Sequence, residues 1–236
     1  MKEQSQAQIY KSELRGLLIS DGDNCLSTFN FGTYYDDFRK PFGLLHVLNE
    51  EILLPQHCSK TSIETDTEII ILPLFGGVEY KDSLGNEDFI RVEQIRSFSA
   101  EKGMSFELFN PYGVENVSYL QIWIKSGKQD SKTGFKQFDF DLNQKNQLIS
   151  LFKTANSFGF IGNYEGRIEG LYQLKNKSNG VFIFVISGAF EIDNRLLESR
   201  DGLHLLKTDF FEWEALSENA LFLLLEIPLD KELIYE

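Results

Sequence analysis

TSIETDTEIIILPLFGGVEYKDSLGNED, running from Thr61 to Asp88, decides how the rest of the chain is read. It reads as two strands around a tight Phe75-Gly76-Gly77 turn, with a second turn at Leu84-Gly85-Asn86. Glycine supplies backbone conformations that other residues avoid, so glycine turns between apolar runs mark hairpins. The same pattern recurs outward along the chain. Tyr119–Lys125 sets Leu120, Ile122 and Ile124 against Tyr119, Gln121 and Trp123, the period of a strand. Val181–Ile186 is a β-rich run ending at Ser187-Gly188. Phe190-Glu191-Ile192 then leads through an Asp193-Asn194 turn into a return strand at Arg195–Glu198. Phe210–Ala215 and Ala220–Ile227 read as closing strands. Short strands at regular spacing predict an all-β sandwich or barrel. Asn143–Ala155 stays open: Leu148, Leu151 and Phe152 fit a helical spacing, yet Leu148–Phe152 is equally a short strand.

The two halves are alike. Leu74–Asp82 can be laid over Ile186–Asn194, 112 residues later, each with an apolar end, a glycine turn and an apolar–Glu–apolar triplet. Ser97–Ala100 lies over Glu212–Ala215 three residues out of that register. The polar stretch Lys125–Gly134 separates the halves. The expected organisation is therefore an N-terminal barrel over 1–126, a linker over 127–134 and a C-terminal barrel over 135–236. Residues 1–12 form an N-terminal arm that could pack on the second barrel.

Composition narrows the function. With 42% apolar residues and 21 Phe among 236, the chain can build a sizeable core. Its formal net charge of −13 argues against nucleic acid, whose phosphates need a basic surface. Cys25 and Cys58 form no disulfide framework and no CxxC spacing, which suits a reducing compartment. The N-terminal stretch lacks an apolar signal core, and no apolar run approaches the roughly 20 residues of a membrane span. A cytoplasmic protein without membrane contact, most simply a monomer, is expected.

Arg15-Gly16, Phe29-Asn30-Phe31, Tyr34-Tyr35-Asp36, Phe42-Gly43 and Val47–Glu50 follow the order of a pirin N-terminus. Val78–Asn86 and Leu120–Ile124 continue it, and Phe182–Pro228 is similar to the C-terminal cupin of bacterial pirin-like quercetinases. On these residues the chain resembles the pirin family along nearly its whole length past residue 12. The resemblance implies a bicupin, two tandem jelly-roll-type barrels. It also implies one Fe or similar ion in the N-terminal barrel, held by three His and one Glu from an HPH and a later HxE. Some pirins cleave flavonols such as quercetin with O₂, and some eukaryotic members act as transcriptional co-regulators.

Carried over residue by residue, the family's ligand positions fall on Ser62 and Glu64, counted back from Glu68-Ile69, and on Phe106 and Leu108, counted from Ser99-Ala100 and Asn110-Pro111. Phe and Leu have no lone pair to donate, and a neutral Ser is a poor ligand for a divalent ion. No register supplies a replacement, because His46, His57 and His204 share no ligand-like spacing. Glu64, Asp66 and Glu68 alternate, and could gather on one strand face for a hard cation or simply line a solvated edge. No cofactor is therefore expected.

Two readings follow. In the first, the changed cup is an apolar pocket lined by Ser62, Glu64, Phe106 and Leu108, with His46, Glu68 and Tyr80 nearby. The protein then binds a small apolar or aromatic ligand, or a protein partner, without catalysis. The same bulky side chains could instead pack the cup shut. In the second, a flavonol-cleaving dioxygenase uses a displaced metal, or a metal-free cupin uses acid–base chemistry. Glu64, partly desolvated beside Phe106 and Leu108, is then the candidate base.

Overall fold

The structure, a computed structural model, describes residues 5–125, 135–154 and 156–229. Strand β1 (Gln6–Tyr10) opens the chain. The first barrel follows: β2 (Gly16–Ser20), β3 (Asp23–Ser27), β4 (Leu45–Leu53), β5 (Cys58–Ser62), β6 (Thr67–Phe75) and β7 (Gly77–Asp82). It continues through β8 (Glu87–Arg91), β9 (Gln94–Ala100), β10 (Ser105–Phe109), β11 (Val117–Lys125) and β12 (Lys136–Asp139). One sheet has the order β12-β9-β6-β11-β4-β3-β2 and the other β5-β10-β7-β8.

The second barrel is built from β13 (Leu148–Lys153), β14 (Phe158–Tyr164), β15 (Glu169–Gln173), β16 (Asn179–Ser187) and β17 (Ala189–Ile192). The last four strands are β18 (Arg195–Glu198), β19 (Gly202–Leu206), β20 (Phe210–Ala215) and β21 (Ala220–Pro228). Its sheets have the orders β1-β19-β16-β21-β14-β13 and β15-β20-β17-β18. No helix among the described residues is long and apolar enough to cross a membrane.

The strand orders superimpose. The run β9-β6-β11-β4-β3 of the first barrel matches β19-β16-β21-β14-β13 of the second, and the small sheets correspond strand for strand. The two glycine turns seen in the sequence are equivalent, with Gly76 at φ 73° and Gly188 at φ 78°, backbone that side chains rarely adopt. The second correspondence fails: Ser97–Ala100 lies in β9 of a large sheet and Glu212–Ala215 in β20 of a small one. Leu148–Lys153 is a strand, which settles the open segment.

The boundary between the halves also differs from the sequence reading. Contacts divide the chain into one unit of Arg15–Pro41 and Leu45–Phe140 and another of Met1–Leu14, Phe42–Leu44 and Asp141–Glu236. The proposed linker over 127–134 lies outside the described residues. Lys136–Asp139, assigned above to the second barrel, pairs with Gln94–Ser97 of β9 in the first. Gln6–Tyr10 pairs with Gly202–Leu206 of β19 in the second. The two strands hold equivalent places, each covering an edge that would otherwise expose unpaired N–H and C=O groups.

Each barrel has its own core. The first packs Ile69, Ile71, Val78, Tyr80, Phe98, Phe106, Leu108 and Tyr119 together. The second packs Tyr164, Ile183, Phe190, Phe211, Trp213 and Phe222. Burying an aliphatic or aromatic side chain contributes about 1.5–3 kcal/mol, so these clusters are the main source of each barrel's stability.

In the second barrel, the Tyr10 hydroxyl lies 3.1 Å from His204 Nδ1, and the His204 ring stacks on Phe42 with centroids 4.7 Å apart. Burial holds the imidazole neutral, its pKa lowered to about 4. The unfolded chain takes up this proton below its ordinary value of 6.5 and the folded barrel only near 4. The stability His204 supports is therefore present above pH 6.5 and is lost as pH falls toward 4, in all about 3 kcal/mol. Melting curves of wild type and His204→Gln between pH 7 and 4 should converge on acidification; parallel curves would contradict this.

Candidate functional site

The residues carried over from the pirin metal site do not converge. On β10, Phe106 and Leu108 point into the first barrel and are fully buried. Their antiparallel partners on β5 are Thr61 and Ser59. Directly opposed residues of an antiparallel pair share a face. Thr61 and Ser59 therefore face inward with them, and so does Ile63, which joins the core at 3% exposure. Ser62 and Glu64 fall on the other face and are exposed. Glu64 thus lacks the apolar surroundings a buried base would need.

An aromatic packing fills the place where Phe106 points. Tyr80 stacks on Phe106 with centroids 6.1 Å apart, and Phe98 meets both rings edge-on at 5.3 and 5.6 Å. The Arg96 guanidinium lies 4.0 Å over the Tyr80 ring, a cation–π contact. Tyr80 donates to Asp82 Oδ2 at 2.9 Å, and burial together with this bond raises its pKa. Asp82 also accepts from Leu84 N, Asn86 N and Asn86 Nδ2, which fixes the turn after β7 and lowers its own pKa despite partial burial.

The remaining candidates scatter. Glu68 is buried and accepts from Ser99 Oγ at 2.8 Å, while Asp66 is exposed and accepts from Lys102 N. Glu64, Asp66 and Glu68 therefore do not share one face. His46 is half-buried, edge-on to Trp123 at 5.9 Å. Nδ1 of His57 lies 2.9 Å from the carbonyl of Pro55 in the loop before β5. Among the described residues, no group of three or more His, Cys, Asp or Glu is placed to hold a metal ion.

The sequence reading missed a polar row inside the same barrel. Register places Cys25 opposite Glu51 and Glu51 opposite Tyr119, with Ser27, Asn49 and Gln121 forming the next row. Asp23 and Ser59 border the first row. The acidic neighbours on β4 have opposite fates. Glu50 forms an ion pair with Arg15 at 3.0 Å. Glu51 is buried beside Asp23, and its pKa rises to about 8, through burial first and the Asp23 charge second. Burial raises Asp23, Cys25 and Tyr119 as well. The visible signal was Asn49-Glu50-Glu51 inside an otherwise apolar strand.

Two barrels of this topology in tandem define a bicupin. The pirin family model matches residues 12–124, and that of the quercetinase C-terminal cupin domain matches residues 160–227. The chain belongs to the pirin family. It is 31% identical over 122 residues to quercetin 2,3-dioxygenase of Escherichia coli (strain K12), which is 52% of this chain and spans about half, 53%, of that relative. A putative quercetin 2,3-dioxygenase of Pasteurella multocida is 25% identical over 211 residues, 85% of this chain and 89% of that protein. The crystal structure of YhhW from Escherichia coli superimposes with a TM-score of 0.84 at 23% identity, covering 95% of this chain and 99% of that one. The bacterial pirin YhhW has also been solved in complex with nickel(II).

The family's metal does not fit the residues present here. Two of its four ligand positions carry hydrocarbon side chains packed in the core, and the other two face outward.

Proposed function

We propose that this pirin-family bicupin works without the family's three-His, one-Glu metal centre, as a non-catalytic module that binds a small ligand or a regulatory partner. The observation that carries the reading is the inward face at the family's ligand positions: Ile63, Phe106 and Leu108, packed with Tyr80 and Phe98. These groups can neither hold a divalent ion nor leave room for a flavonol between them. The working surface therefore lies elsewhere in the barrels. Protein expressed with added Fe, Mn, Ni, Cu and Zn should carry far less than one metal per chain after buffer exchange, and should leave quercetin unconsumed under O₂. One tightly held metal per chain together with flavonol cleavage would overturn the proposal.

A further inference from the structure

We infer that the outer face of the first barrel's small sheet, at Glu79 between Phe89 and Phe109, docks an arginine side chain of a protein partner. The inference names the chemistry of the partner in the previous section, and in that sense rests on that reading.

Register builds the place. Phe109, Glu79 and Phe89 stand directly opposite one another on β10, β7 and β8, and Glu107, Lys81 and Glu87 form the neighbouring row. Side chains alternate between the two faces of a strand. Tyr80, Phe106 and Leu108 of these strands belong to the core, so both rows point outward. Together they line an open concavity of about 650 Å³. A Cβ at Gly77 would lie 2.5 Å from Phe89 Cζ, so the bare glycine lets this ring lie along β7 beside Glu79.

The charges of this face are matched except at one point. Lys81 pairs with Glu87 at 2.5 Å and Lys60 with Glu107 at 3.6 Å. Arg91 pairs with Asp139 at 3.4 Å, and Arg96 with Asp88 at 3.0 Å. The Glu79 carboxylate is exposed and makes no ion pair or hydrogen bond among the described residues. Its two neighbours in the row are phenyl rings, Phe89 exposed and Phe109 half-buried. One uncompensated carboxylate bordered by solvent-facing aromatic rings is complementary to a cation with a flat, weakly hydrated head. Guanidinium meets that description: it stacks on aromatic rings and bonds a carboxylate through two N–H groups at once, whereas an ammonium is compact and strongly hydrated.

The openness of the concavity selects a protein over a small molecule. Small-ligand pockets bury about 70–90% of their occupant, which a sheet face lined by exposed side chains does not do. Arginine, by contrast, is enriched at protein–protein interfaces, and exposed apolar patches mark them. The second barrel supplies an internal control. Glu191 holds the place equivalent to Glu79, but its neighbours across the strands are Glu214 and Leu196, with no aromatic ring in the row.

Proton–nitrogen correlation NMR of the full chain, titrated with the peptide acetyl-Gly-Ser-Arg-Ser-Gly-amide, tests this. Saturable shifts are expected at the amides of Glu79, Phe89 and Phe109. The same peptide with citrulline, which keeps the shape and loses the charge, should bind roughly tenfold more weakly, and the lysine peptide should fall between. Glu79→Gln and Phe89→Leu, both at exposed positions, should each weaken arginine binding about fivefold or more, whereas Glu191→Gln should leave it unchanged. Absence of saturable shifts, shifts centred on Glu191, citrulline binding as tightly as arginine, or undiminished binding in both folded variants would each overturn the inference. Metal content and quercetin turnover of the same preparation read the other proposal separately: arginine binding by a chain that also holds one metal and cleaves quercetin would overturn only the metal-free reading.

Discussion

Glu51→Gln is expected to make the first barrel more stable than wild type in alkaline solution, by about 2–4 kcal/mol at pH 8.5. A glutamate whose folded pKa lies near 8, against an ordinary 4.5, binds its proton more tightly in the folded barrel than in the unfolded chain. The stability this confers is fully present below pH 4.5 and drains away as pH rises through 8, at up to about 1.4 kcal/mol per pH unit. Glutamine imitates the protonated acid and has nothing to lose. Urea midpoints of wild type should therefore fall between pH 5 and 8.5, while those of the variant stay level. Two parallel declines would show that Glu51 carries its charge in the folded state and that the desolvation argument is wrong.

The second large effect belongs to the other barrel. Glu226 on β21 is 0% exposed and accepts four hydrogen bonds: from Tyr172 Oη at 2.7 Å, Lys175 N and Asn176 N at 2.8 Å, and Asn179 Nδ2 at 2.9 Å. One carboxylate thus satisfies the turn between β15 and β16 and the phenol beneath it. Glu226→Ala leaves those donors without their acceptor, and bonds to a charged group are worth about 1.5–3 kcal/mol each before any relaxation. A loss of about 4 kcal/mol or more is expected, appearing as a much lower denaturant midpoint for the second barrel. Glu226→Gln, which keeps one acceptor and the volume, should fall between the two. An alanine variant melting with wild type would show that the turn is held by something else.

Local signals were legible in the sequence wherever a turn fixed the chain. Phe75-Gly76-Gly77, Ser187-Gly188 and the Asp193-Asn194 turn delimit real hairpins, because glycine and turn amides leave few alternatives there. The facing of strands was harder to read. On β11, Tyr119, Leu120 and Ile122 are all fully buried, so alternation of hydrophobicity cannot tell inside from outside. The Tyr119–Trp123 face, polar by comparison, is the one that joins the first barrel's core.

The same difficulty governed the site. Transferring the family's ligand positions to Ser62 and Glu64 carried along the assumption that those positions face inward. A physical hint stood against it: Ile63 is the lone apolar residue between Cys58 and Thr67, and a lone apolar residue in a polar strand marks the buried face. The carboxyl pair was out of reach for another reason. Asp23 and Glu51 lie on different strands, and only the β3–β4 register brings them together.

The place of β1 has a consequence for how the protein is made. His204, the partner of Tyr10 in the second barrel, leaves the ribosome 194 residues after it. At about 5–20 residues per second, translation separates the two by roughly 10–40 seconds. The strands of the first barrel through β11 are all synthesised in that interval and can fold in order. The opening strand must wait meanwhile, unpaired and open to chaperones, until nearly the last of its sheet arrives. Strand β1 is thus among the last of its barrel's strands to find its place.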